Sequence, residues 1–401
     1  MTRKTHATLG SRDLFPELEA SVYLNHAAIS PPSLAVREAM TRCLLDYATH
    51  GVGAAMPWFE ARDRLRHDLA ALIGAPEPLE TIALLPNTTS GVIACARSIA
   101  WQKGDRIVLV EGDFPANVGP WQQVARDQEL EIVWADSRTL SDREQGPAWL
   151  ESILRDGVRL VALSAVAFQT GWRMPLDLIG ELCAKHGAEL FVDAIQACGV
   201  VPIDVERDRV SYLASGGHKW LMGVEGAGFL FVSKRAMARS MTPRMAGWLS
   251  YEEPFDFLTQ GAGHLRYDKP VRSQASFLEV GAMSAVGYAG LAASVRILLG
   301  FGVDAIFEHV NLYLDELEEA LTARFELESL RGTSRLEQSG ALCVRFAPGV
   351  VEDLGRFQER AASRGVALSI PDGLVRMSPH WPNAVQEIPT ILEAFAHALS
   401  P

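Results

Sequence analysis

The sequence predicts an α/β protein built on a mostly parallel sheet with helices on both faces. Three observations carry that expectation. Short runs of apolar and β-branched residues recur at 106–110 (RIVLV), 130–134 (LEIVW), 159–166 (RLVALSAV), 189–193 (ELFVD) and 227–232 (AGFLFV), and strands buried on both faces read as continuous hydrophobic runs. Helical stretches such as Leu176–His186 separate most of these runs, and such alternation implies parallel crossover units. The chain is also long enough: 401 residues, 48% hydrophobic and 21% charged, is ordinary globular usage and a length suited to two or three domains.

Ahead of the first of these strands, 33–50 and 57–73 place apolar residues at helical spacing, and each is stopped by a glycine, Gly51 and Gly74. An apolar run then ends in LPNTTSGV (85–92) and turns helical. Past the last strand the pattern shifts near residue 291. A long helical region (291–328) leads to the strand-like run GALCVRFAP, a helix at 352–363, short strands around ALSI and LVRMS, and a last helix at 384–399. This divides the chain into an N-terminal segment (1–20), a large unit (21–290) and a small C-terminal α+β unit (291–401).

Charge excludes some partners. The sum is 37 − 49 = −12 and no basic tract offsets it, which argues against nucleic acid and anionic membrane. The opening MTRKTHATLGSRDLF has no apolar core of the secretory type, and no apolar stretch is long enough to span a bilayer. The five cysteines (Cys43, Cys95, Cys183, Cys198 and Cys343) are scattered and form no CxxC pair, so a reduced, cytoplasmic protein is expected.

In a parallel sheet, ligands bind beyond the carboxyl ends of the strands, and three features fall there. Asp193 closes ELFVD. A carboxylate at that place is partly desolvated and needs a cation or donor, although it also suits a helix N-cap. Lys219 lies in SGGHKWLMG (215–223) between His218 and Trp220, after two glycines that let backbone approach a ligand. Desolvation lowers an amine's pKa, and the neutral amine is the form that makes a Schiff base; the same segment also fits a lysine snorkelling over Trp220. Third, Asn87, Thr88, Thr89, Ser90 and Gly91 open a helix, where hydroxyls and free N–H groups suit a phosphate. An aldehyde-reactive lysine, a phosphate cup and a carboxylate for a pyridinium nitrogen together are what pyridoxal 5'-phosphate asks of a protein.

The segments VDAIQACGVVPIDV and YLASGGHKWLMGVEGAGFLFV, with YLNHAAISPP, NTTSGV, EGDFPANVGPW, FQTGWRMPLD and LVRMSPHWPN, resemble the class V aminotransferase family of fold-type I pyridoxal-phosphate enzymes, which includes cysteine desulfurases and isopenicillin N epimerases. The resemblance spans nearly the whole chain. It implies a large domain with a seven-stranded, mostly parallel sheet and a small C-terminal domain. By it, Lys219 is the Schiff-base lysine, Asp193 the partner of the pyridine nitrogen and Gln196 a contact to the ring's phenolic oxygen. Thr88 and Thr89 match the phosphate-binding pair, with His218 and Ser215 or Gly216 on the other side of that cup. Phe114 falls where an aromatic ring or imidazole stacks on the cofactor. Arg376 matches the arginine that grips the substrate carboxylate, and Asn25, His26 and Ala28 the segment lining the substrate pocket. A homodimer follows by the same resemblance.

Two departures stand out. Cysteine desulfurases carry a nucleophilic cysteine on a loop before that arginine, where this chain reads SRGVALSIPDG, and Cys343 lies upstream in an apolar run; a cysteine-dependent desulfurase is therefore not expected. The family's RFExGT segment appears as FLEVGAMS, with Ala282 in place of a threonine that reaches the partner subunit's phosphate. The expected function is chemistry at the α-carbon of an amino-acid substrate. Amino transfer leads because Arg376 and Lys219 suffice for its core; a C–S or other β-lyase comes second, an epimerase third, and a pseudo-enzyme or regulator is the non-catalytic alternative. Trp172, Trp220, Trp248 and Trp381 either shape a large pocket or pack in the core.

Overall fold

The computed structural model describes residues 7–400; residues 1–6, the start of the segment read as lacking a secretory signal, and Pro401 lie outside the described residues. A short strand β1 (Val22–Tyr23) precedes the central sheet, which is made of β2 (Ile82–Leu85), β3 (Arg106–Val110), β4 (Glu131–Ala135), β5 (Leu160–Ser164), β6 (Glu189–Asp193), β7 (Tyr212–Gly216) and β8 (Gly228–Val232). Their order is β2-β8-β7-β6-β5-β3-β4. Strands β4, β3, β5, β6 and β7 pair in parallel, and β8 runs against both of its neighbours. The α/β fold with a mostly parallel seven-stranded sheet is therefore as expected.

Side-chain alternation gives the sheet two buried faces. Leu109, Ala162, Phe191 and Ala214 pack with residues of the helices Thr88–Ser98 and Gly119–Gln128. Val108, Leu163, Val192 and Leu213 pack on the other side with residues of Ala55–Ile73, Leu176–His186 and Ala285–Phe301. The helix Thr88–Ser98 can lie close to β7 because residue 91 is glycine: a Cβ there would sit 2.8 Å from the Ala214 Cβ.

The long helical region is two helices, Ala285–Phe301 and Val303–Arg324, bent by 78° where they meet at Gly302. The first starts earlier than residue 291 because the Ser284 side chain accepts from Gly287 N and caps it. Just before it, Glu279 in FLEVGAMS is 6% exposed and accepts from Arg66 Nη2 (2.6 Å) and Leu84 N (2.7 Å). That ion pair ties the segment to the backbone of β2, while Ala282 beyond it is exposed. No single helix among the described residues is long and apolar enough to cross a membrane.

In the C-terminal part, β9 (Leu327–Ser329), β10 (Leu342–Phe346) and β12 (Val375–Met377) form an antiparallel sheet in the order β12-β10-β9. The remaining strand, β11 (Val366–Ala367), pairs in parallel with β1. That two-residue pairing places the residues after β1 beside those after β12, where Asn25 bridges Ser378. It thereby brings chain from near both ends to the carboxyl edge of the central sheet.

Candidate active site

The site is built from the ends of β3, β5, β6 and β7. Asp193 ends β6, in register with Ser164 on β5 and Ala214 on β7. Its carboxyl is 1% exposed and accepts from Ile195 N at 2.9 Å. Burial, helped by the Asp113 charge, pushes its pKa up to about 7, against the pull of the Ile195 amide and Lys219. Burial likewise pushes the Lys219 amine down to about 8; Asp193 opposes that fall and Arg376 adds to it. The Lys219 Nζ lies 5.5 Å from the centroid of the Phe114 ring.

The lysine turn is held from both sides. Gly217 N donates to Ala227 O (2.8 Å) and Met222 N to Lys219 O (2.9 Å). Gly217 serves packing, since a Cβ there would meet the Ala227 carbonyl at 2.6 Å. Ser30 Oγ donates to Lys219 O (2.6 Å), and His380 Nε2 lies 2.8 Å from Trp220 O. Because Ser30 spends its proton on Lys219, the His26 Nδ1 only 2.8 Å from Ser30 Oγ must donate to it. Burial, with His380 adjacent, holds His26 well below the usual histidine range, so it is neutral. At 2% exposure, His26 braces the lysine backbone.

Around this floor the structure brings together most of the residues expected from sequence. Asn87 caps the helix Thr88–Ser98 by accepting from Ser90 N (2.8 Å), and the buried Thr88 Oγ1 accepts from Gly216 N (2.8 Å). Thr89 is exposed in the first turn, and His218 is half-buried, with its pKa lowered by burial and by Lys219. Ser215 is not brought to this cup. It lies on the face opposite Ala214 and its hydroxyl donates to the Gly216 carbonyl (3.3 Å). Between Ser215 and Gly216, it is the Gly216 amide that reaches Thr88.

Gln196 is 5% exposed; its Nε2 donates to Ala27 O (3.1 Å) and its Oε1 accepts from Trp220 Nε1 (2.9 Å). Asn25 carries a buried Oδ1 with no hydrogen-bond partner among the described residues, and Ala28 N donates to Asn25 O (3.0 Å). Arg376, on β12 and 5% exposed, donates from Nη1 to Phe168 O (2.7 Å) and from Nε to Ser369 Oγ (3.1 Å). It forms no ion pair among the described residues, so its charge is available to an anion. The Phe168 ring meets Phe114 edge-on at 5.3 Å. Cys343, opposite Arg376 in the β10–β12 register, is fully buried, and burial pushes its thiol up to about 12. Trp220 and Trp381 are buried, Trp172 donates to Leu330 O (2.8 Å), and Trp248 is 46% exposed, so the first two are packing residues.

Sequence reading missed Asp113, Ser164, Ser30 and Phe168. Asp113 was findable: it follows β3 as Asp193 closes β6, within the EGDFPAN segment quoted for Phe114. Ser30 and Phe168 have no such signal, because they act through a hydroxyl and a backbone carbonyl in loops.

The donor set fits pyridoxal phosphate: an amine of lowered pKa, a buried carboxyl beside it, a helix N-terminus with a threonine hydroxyl, and an unpaired arginine. The family model Aminotransferase class-V matches residues 22–370. The chain belongs to the class-V aminotransferase family. As such it is a fold-type I pyridoxal-phosphate enzyme. This class-V enzyme is 27% identical over 389 residues to the uncharacterized aminotransferase YcbU of Bacillus subtilis, covering 96% of each chain. It is 30% identical to a cysteine desulfurase of Dickeya dadantii, over 86% of this chain and 83% of that one. Among solved structures, the cystine C-S lyase C-DES in complex with cysteine persulfide superposes with a TM-score of 0.85 at 23% identity, covering 95% of this chain and 99% of that one.

One expectation is overturned. The sequence argues against a cysteine-dependent desulfurase, but a cysteine desulfurase and a probable one are among the chain's relatives over most of its length. The missing loop cysteine in SRGVALSIPDG concerns one residue at one position. It does not carry an exclusion of the reaction.

Proposed function

We propose that this class-V enzyme works at the α-carbon of a small-molecule amino-acid substrate and that amino transfer is its reaction. The observation that carries this reading is the largely buried Lys219 amine 5.5 Å from the Phe114 ring, its pKa lowered by burial to about 8 with Asp193 opposing and Arg376 adding to the fall, a range in which one group can both take and return a proton. Bound pyridoxal phosphate supplies an aldehyde for that amine and an electron sink for chemistry at the α-carbon.

The chain's own residues do the rest. Lys219 carries the proton to and from the substrate's α-carbon. Asp193 holds a proton at the ring nitrogen. Thr88, Thr89, His218 and the amides of the first turn would hold the phosphate, with the Gly216 amide fixing Thr88 and Ser215 acting only through its backbone neighbour. Phe114 would pack against the cofactor ring, and Gln196, with one Nε2 hydrogen spent on Ala27 O, would have the other free for the ring oxygen. Arg376, with two donors already anchored, presents the rest of its fork to the substrate carboxylate. Asn25, His26 and Ala28 line the substrate side, the first with an unfilled acceptor. The likeness to an aminotransferase over 96% of the chain supports amino transfer; C–S bond cleavage is the second reading, favoured by the desulfurase relatives.

The test is to incubate the holoenzyme with amino acids, with and without a 2-oxo acid, and to assay products. A new amino acid formed from the 2-oxo acid is expected. Sulfide or sulfane sulfur from cysteine or cystine, without amino transfer, selects the second reading, and no turnover with either refutes both. Replacing Arg376 by Ala is expected to raise KM about 10- to 100-fold with a smaller change in kcat, and an unchanged KM removes it from carboxylate binding. We also propose a homodimer, supported by the exposed apolar side chains Leu44, Leu45, Val52 and Met56 on neighbouring segments. Light scattering should then give twice the 43.8 kDa chain mass; a stable monomer at micromolar concentration refutes it.

A further inference from the structure

The Asp113 carboxylate is not accounted for by the roles above. It follows β3, one residue before Phe114, and it accepts four hydrogen bonds. Phe114 N (2.7 Å) and Ser164 Oγ (2.6 Å) donate to Oδ1, and Asn117 Nδ2 (3.0 Å) and Ser164 N (3.1 Å) to Oδ2. Burial pushes the Asp113 carboxyl above its usual range, while these four donors, filling both oxygens, pull it back toward the ionised form. Ser164 is the register partner of Asp193. With β5 lying between β3 and β6, Asp113 and Asp193 approach the end of β5 from its two sides.

We propose that Asp113 is a positioning residue of this site: it pins the Phe114 turn to the end of β5 and sets a second negative charge beside Asp193, so that the cofactor's ring nitrogen keeps its proton to higher pH than Asp193 alone would hold it. The direction follows from electrostatics. A nearby negative charge favours the protonated form of the pair formed by Asp193 and the ring nitrogen. The same charge raises Asp193, second only to burial. Among the described residues, the other charged groups acting on Asp193 and Lys219 are each other and Arg376, and no cation acts on Asp113. The inference rests on the reading of Asp193 as the ring-nitrogen partner.

The experiment follows the 15N chemical shift of ring-labelled pyridoxal phosphate in the holoenzyme as a function of pH. For Asp113→Asn, which keeps the shape and an acceptor oxygen, the pH at which the nitrogen loses its proton should fall by about half a unit to one unit. Asp113→Glu should titrate as wild type. An unchanged midpoint in Asp113→Asn overturns the proposal. So does an equal fall in Asp113→Glu, which also provides the reading if the Asn variant does not fold. Asp193→Asn is the control: if the nitrogen signal is unmoved there, the underlying assignment fails; if it moves there and not in Asp113→Asn, only this proposal does.

Discussion

Lys219→Ala is expected to reduce turnover by at least about 10³-fold, because under the proposed roles one change removes both the covalent anchor and the proton carrier. The protein itself should fold: the turn that carries the lysine is held through backbone groups, by Ser30 on the Lys219 carbonyl and His380 on the Trp220 carbonyl, and alanine keeps both. Lys219→Arg should be as inactive, since a guanidinium stays protonated and can neither condense with an aldehyde nor return a proton. The wild-type amine, lowered to about 8, gives a pH test. Only the neutral amine reacts, so covalent loading of the apoprotein should accelerate as pH rises and level off above about 8. Loading that is flat between about pH 6.5 and 9 contradicts the assignment, as does substantial turnover by either variant.

The strands were legible because burial on both faces writes itself as continuous apolar runs, and that is why Asp193 and Lys219 could be located by looking just past them. What was not legible follows from distance in sequence. Asp113 and Asp193 are separated by eighty positions and flank the end of β5 only because β5 lies between β3 and β6. The link from His26 through Ser30 to the lysine carbonyl depends on the two-residue pairing of β1 with β11, a contact too short to leave a pattern. Ser215 shows the opposite failure. Its place next to Gly216 in the motif suggested a phosphate hydroxyl, but strand alternation turns its side chain to the other face of the sheet. Arg376 was recognisable by motif, whereas the Phe168 carbonyl that orients it carries no residue-type signature at all.

Asp193→Ala should separate function from stability. Cofactor loading should persist, since Lys219 and the phosphate end are untouched, but kcat should fall by about 10²- to 10³-fold with little change in KM, the signature of an interaction made mainly in the transition state. Wild-type rates would remove Asp193 from the mechanism. The apoprotein should respond in the other direction. Asp193 is 1% exposed and its folded-state pKa is raised to about 7 from 3.8. The unfolded chain therefore releases this proton at lower pH than the folded one, and the carboxyl lowers stability progressively as pH rises from about 4 to about 7. Removing it should make the ligand-free protein more resistant to urea above about pH 7, with the difference shrinking toward pH 4. A loss of stability at pH 8 would mean that the carboxylate is held by partners beyond Ile195 and Lys219. A gain there would mark Asp193 as a group kept at a cost to the fold because the bound cofactor needs it.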